Sequence, residues 1–210
     1  MKKLICLVLL AVLTVSLVAC STTRSSETTT QQTPSSSTTG GSEQKTDGEA
    51  GGKTLVAYFS ATGTTKKVAE LISQATGATL YEIMPTEPYT DDDLNYRNSD
   101  SRVSREHSDS SLRTVELSNA AVPNWDEYDT VYIGYPIWWG EASWVVTSFV
   151  AANDFSGKTV VPFCTSASSS LGNSTADLAK TANSGEWKEG KRFGASADAD
   201  DIAAWLSEIG

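Results

Sequence analysis

The stretch Thr54-Leu55-Val56-Ala57-Tyr58-Phe59, running straight into Ser60-Ala61-Thr62-Gly63-Thr64-Thr65, constrains the fold of this chain more than any other. A continuous run of strand-forming, largely apolar residues describes a strand covered on both faces, as at the centre of a parallel sheet. Beyond the hydroxyl-rich loop the spacing becomes helical. Val68, Leu71, Ile72 and Ala75 recur at i, i+3, i+4 and i+7, and Gly77 supplies a stop.

The same unit repeats along the chain. Strands are expected at Ala78 to Met84, Thr130 to Tyr135 and Thr159 to Cys164, although Pro162 cannot donate to a ladder and argues against a fully central place for the last. Val145, Ser148, Phe149 and Ala152 mark a helix after the third strand, and another spans Thr175 to Ala182. A short strand near Lys188 to Phe193 precedes a last helix with Ile202, Trp205, Leu206 and Ile209 on one face and Asp198 as its cap. Alternation of strands and helices predicts an α/β fold, a doubly wound parallel five-stranded sheet, with ligands beyond the carboxyl ends of the strands.

The segment from Pro85 to Trp125 breaks the pattern, being polar, charged and long for a crossover. It reads as a solvated excursion with a helix around Asp92 to Glu106. His107, the only histidine, lies there, and one histidine does not make the usual metal-ligand set, so no metal is expected. No catalytic side chain is assigned.

Three loops at one sheet edge carry the chemistry. In Ser60 to Thr65, four hydroxyls, a glycine and the free amides of a helix start converge with no Lys or Arg, which suits a terminal phosphomonoester. Alone, that loop is equally an ordinary hydroxyl-rich cap. Gly52-Lys53-Thr54 and Gly157-Lys158-Thr159 resemble the end of a nucleotide-binding P-loop, but each precedes a strand and lacks the earlier glycine. The second loop is Pro136-Ile137-Trp138-Trp139-Gly140, whose adjacent indoles suit stacking on a planar heterocycle, folding back into the core, or a partner-binding patch. Thr165-Ser166-Ala167-Ser168 follows the next strand and offers hydroxyls and amides to a polar ring edge.

Residues 1–19 read as a signal peptide: Lys2 and Lys3 precede an apolar run from Leu4 to Leu13, and Leu17-Val18-Ala19-Cys20 resembles the bacterial lipobox. That likeness implies lipidation of Cys20 and attachment to the membrane. Residues 20–52, rich in Ser, Thr and Gln, hold too few large apolar side chains to fold and form a disordered tether, with an r.m.s. reach on the order of 30 Å. One domain, 53–210, remains. Its Cys164 would have no intramolecular partner and is expected as a buried small hydrophobe. A formal charge of −10 argues against a nucleic-acid partner, which would require a basic face.

Taken together, the three loops make residues 53–210 similar to the flavodoxin family, in particular its extracytoplasmic lipoprotein-like members. Ser60, Thr62, Gly63 and Thr65 match that family's Ser/Thr-x-Thr-Gly-x-Thr loop, and Gly134-Tyr135-Pro136-Ile137-Trp138 matches its Gly-x-Pro-x-Trp pattern. The third-loop match is looser, with Ala167 standing near a common glycine. The resemblance implies strand order 2-1-3-4-5 and flavin mononucleotide (FMN) as cofactor. It would be held by Ser60, Ala61, Thr62, Gly63, Thr64 and Thr65 at its phosphate and by Pro136, Ile137, Trp138, Trp139, Gly140, Thr165, Ser166, Ala167 and Ser168 at its ring. Spacing does not decide which indole stacks. The implied activity is electron transfer at the outer face of the bacterial cell membrane, between a donor and an acceptor that the sequence does not identify. The peptide beside Gly140 would reorient on reduction, and the chain's acidity would disfavour the fully reduced, anionic flavin. An FMN-dependent quinone or nitro-compound reductase and a tethered, non-redox binding module are the alternatives.

Overall fold

A computed structural model describes residues 53–210; the expected signal peptide, lipobox and tether lie outside the described residues. β1 (Lys53–Tyr58) pairs in parallel with β2 (Thr79–Glu82) on one side and β3 (Tyr128–Trp138) on the other. β5 (Thr159–Thr165) continues the sheet from β3, and β6 (Glu186–Trp187) and β7 (Lys191–Phe193) share its far side. The order is β2-β1-β3-β5-β6, with β7 also on β5, which is the expected five-position parallel sheet.

Alternate residues of the central strands feed two apolar layers. Leu55, Ala57, Val131, Ile133 and Val160 join a core with Phe149 of α3 (Trp144–Ala152) and Leu178 of α4 (Ser174–Ala182). Val56, Tyr58, Tyr132 and Val161 join the opposite one, with Val68 and Ile72 of α1 (Thr64–Thr76) and Ile202 and Trp205 of α5 (Ala199–Ile209). Asp198 caps α5 as expected, accepting from the Asp200 and Asp201 amides. Close packing demands a glycine at 134: an added Cβ would lie 2.2 Å from the Phe163 ring on the adjoining strand.

Three expectations need correction. Pro162 does sit inside the sheet, because the expected 188–193 strand is two pieces. β6 pairs with Thr159 and Val160, and β7 with Phe163 to Thr165. Since the Val160 carbonyl accepts from Lys188 on that side, alternation turns the missing donor of Pro162 into the gap between β6 and β7. The helix expected around Asp92 to Glu106 is the shorter α2 (Arg102–Ser108), because Asp93 accepts from the amide and hydroxyl of Thr90 and holds the preceding segment in turns. Ser101 then caps α2. Finally, β3 extends beyond Tyr135 through Trp138 and pairs with β4 (Glu141–Ala142), so the indole loop is a β-hairpin.

Cys164 is fully buried, and burial pushes its thiol up to about 12, in keeping with a packing role. The Lys158 ammonium is buried under the Tyr128 and Trp125 carbonyls just before β5, at the amino edge of the sheet and away from the three loops. The apparent P-loop remnant is therefore structural.

Candidate flavin site at the carboxyl edge of the sheet

The loop after β1 is built to present backbone. Gly63 takes a left-handed φ of 87° immediately before α1, a conformation that suits a residue without Cβ, and no side chain caps the helix. The first intrahelical bond runs from Lys67 N–H to the Gly63 carbonyl, leaving the amides of the first turn at the loop. Ser60 Oγ is buried with no hydrogen-bond partner among the described residues, an arrangement that costs free energy until a ligand supplies one. These groups fit a phosphate. Of the four hydroxyls, that of Thr65 is already committed: it is buried and lies 2.8 Å from Thr165 Oγ1.

That bond ties the first loop to the third. Thr165 is the buried end of β5, Ser166 is half-buried, and Ala167 and Ser168 are exposed. Arg192 shapes this loop, donating to Ser166 Oγ at 3.0 Å and to the Ser166 and Ala167 carbonyls at 2.8 and 2.9 Å. The second and third loops also meet. A Cβ on Gly172 would lie 3.4 Å from the Gly140 carbonyl oxygen, and the Tyr135 and Ser174 hydroxyls share a hydrogen bond of 3.0 Å.

The hairpin separates the two indoles. Trp139 and Gly140 form its tip with φ of 48° and 85°, the left-handed pair of a type I′ turn. Pro136, Ile137 and Trp138 are half-buried in β3, and Trp138 packs against Phe59, Tyr89 and Trp144 at centroid distances of 5.9, 5.1 and 5.3 Å. Trp139 remains 42% exposed. Its ring lies flat on His107, 4.4 Å away and 7° from parallel, with Trp144 near-parallel at 6.2 Å.

Much of the Pro85 to Trp125 segment is exposed, as expected of a solvated excursion, but Tyr89 and α2 form a wall of the site. Tyr89 donates to the buried Glu106 carboxylate at 2.7 Å, and burial followed by this bond raises its phenol well above the ordinary value. Arg102 donates to Glu106 at 2.8 Å while its guanidinium lies 3.9 Å from the Tyr89 ring centroid. A cavity of about 390 Å³ opens between this wall and the first loop, lined by Phe59, Ser60, Ala61, Met84, Pro88 and Tyr89 among others. No periodicity marks Tyr89, Arg102, Glu106 or Arg113; the signal was a paired Arg-x-x-x-Glu at helical spacing after a serine cap. Local charge also departs from the chain average. Arg192 and Arg113 stand at the loops, and Glu106 and Glu141 are each paired with an arginine, so overall acidity does not describe this edge.

A doubly wound α/β domain with an uncapped helix start, an orphaned serine hydroxyl and aromatic rings gathered at one carboxyl edge defines a mononucleotide-binding class of protein. The family model described as Flavodoxin matches residues 53–209, and the chain belongs to the flavodoxin family. Crystal structures of putative flavoproteins from Bacteroides uniformis and Bacteroides eggerthii are similar at 43% and 46% identity. Each has a TM-score of 0.69 and covers 75% of this chain, and the matches span 99% and 98% of those chains. A flavoprotein from Lactobacillus acidophilus, solved in complex with FMN, shares the fold at 24% identity and a TM-score of 0.53, over 74% of this chain and 99% of that one. Comparison with curated proteins returns no match. Family membership supports FMN as the cofactor.

Proposed function

We propose that this protein is an FMN-dependent electron-transfer protein held at the outer face of the bacterial cell membrane by a lipid on Cys20. The observation carrying it is the linkage of all three loops at one edge, with the unpartnered Ser60 Oγ and the exposed Trp139 both at it. Bound FMN would supply one- and two-electron transfer. The chain's own groups would bind and orient it. The α1 amides with Ser60, Thr62 and Thr64 would hold the phosphate, while Trp139 and the loop braced by Arg192 would hold the ring. A hairpin tip at which Trp139 keeps 42% exposure even with His107 against its ring favours outer-sphere transfer to a docked partner.

The 390 Å³ cavity favours a second reading, an FMN-dependent reductase of a quinone or nitro compound, because it adjoins Ser60 and is large enough for one small aromatic ring. Stopped-flow mixing with NAD(P)H separates the two. Slow oxidation supports the carrier; rapid turnover with an added quinone overturns it. Incorporation of labelled fatty acid, lost in Cys20→Ser, tests the anchor, and labelling that persists in the variant would refute it.

A further inference from the structure

Adjacent residues of α2 stand behind adjacent indoles of the hairpin. Glu106 holds the Tyr89 ring that packs on Trp138, and His107 lies flat on Trp139. Arg113 locks this end of α2 to the hairpin. Its guanidinium donates to the Glu106 and His107 carbonyls at 2.9 and 2.7 Å and to the Glu141 carboxylate, just past the hairpin tip, at 3.1 Å. A planar fork with fixed donors spans these acceptors in a way that a lysine ammonium does not reproduce.

Trp139 requires such support. A non-glycine residue is strained in the left-handed region, and type I′ turns select Asn, Asp or Gly there. Its partly exposed indole has two ring neighbours, Trp144 near-parallel at 6.2 Å and His107 flat against it at 4.4 Å, so the nearer support of its face is His107. Trp138, by contrast, is packed on three other rings. His107 Nδ1 is buried with no hydrogen-bond partner among the described residues, so the imidazole contributes through its ring face and its anchored backbone.

We propose that His107, locked in place by Arg113, is a positioning residue that sets the plane of the Trp139 indole on which the flavin ring binds. The inference rests on the FMN reading above and deepens it. The platform is a flat ring, so its nitrogens are dispensable and its planarity is not.

The test uses the full chain freed of FMN. Near-ultraviolet circular dichroism, taken as the difference from Trp139→Phe, isolates the signal of the held indole. His107→Ala and Arg113→Lys should each lose most of that signal and bind FMN roughly tenfold more weakly, the scale of one lost aromatic stack. His107→Phe should keep the signal and bind within about threefold of the parent. Far-ultraviolet melting confirms the fold, and His107→Gln serves if the alanine variant does not melt cooperatively. A parental Trp139 signal in His107→Ala overturns the proposal. So does FMN binding that is unchanged or tighter once the signal is lost, because His107 would then be idle or a competitor for the indole face. If the parent chain itself fails to bind FMN, the cofactor reading falls, while the cofactor-free comparison still decides whether His107 holds Trp139.

Discussion

The loop from Ser60 to Thr65 and the segment from Pro85 to Trp125 face the same site and are built by opposite means. The first presents backbone: a left-handed glycine, an uncapped helix start and small hydroxyls. The second presents side chains, in which Arg102, Glu106 and Arg113 tie turns and a seven-residue helix to the aromatic cluster. Apart from Ser60 and Thr65, whose hydroxyls are buried, exchanging a side chain should therefore cost little stability in the loop and much in the wall. A change of backbone preference should hurt the loop.

The largest effect is expected from Glu106→Ala. It leaves Arg102 and the Tyr89 hydroxyl without their buried partner and should cost about 3–5 kcal/mol in urea denaturation. Gly63→Ala comes next. Nothing lies within 4 Å of the added Cβ, so the penalty is conformational, about 1 kcal/mol, with FMN bound roughly tenfold more weakly. A loss at Gly63 larger than at Glu106 would invert the comparison.

The wall should also reveal itself at alkaline pH. The folded state raises the Tyr89 phenol above its ordinary 10.0, so it holds that proton more tightly than the unfolded chain does. The stability this contributes is complete below about pH 10 and declines as pH rises further. Denaturant midpoints across about pH 9 to 11 should show a shallower alkaline decline in Tyr89→Phe than in the parent. Thr64→Ala, in the loop, should be the mildest change, within about 0.5 kcal/mol in stability.

The same contrast explains what could be read without coordinates. The doubly wound parallel sheet, its apolar layers and the first loop follow from Thr54 to Phe59, from the Val68, Leu71 and Ile72 spacing, and from a glycine where a helix begins, whereas the strand order came from the family resemblance. These are local signals, and backbone-built sites are local. The wall depends on contacts that no local period records: Arg113 reaching Glu141 across 28 residues, and Tyr89 reaching Glu106 across 17. The hairpin was hidden for another reason. A Trp-Gly tip stands where Asn-Gly would announce a type I′ turn, and the strain on Trp139 is balanced by rings that arrive from elsewhere in the chain.

The central claim is that this edge of the sheet holds one flavin. Titration of the purified, cofactor-free full chain with FMN, followed by both flavin and tryptophan fluorescence, tests it most directly. The account predicts saturation at one FMN per chain, with the emission of both partners quenched and the tryptophan component of that quenching diminished in Trp139→Phe. A chain that leaves added FMN fully fluorescent, or binds it with the tryptophan response unchanged in Trp139→Phe, would contradict it.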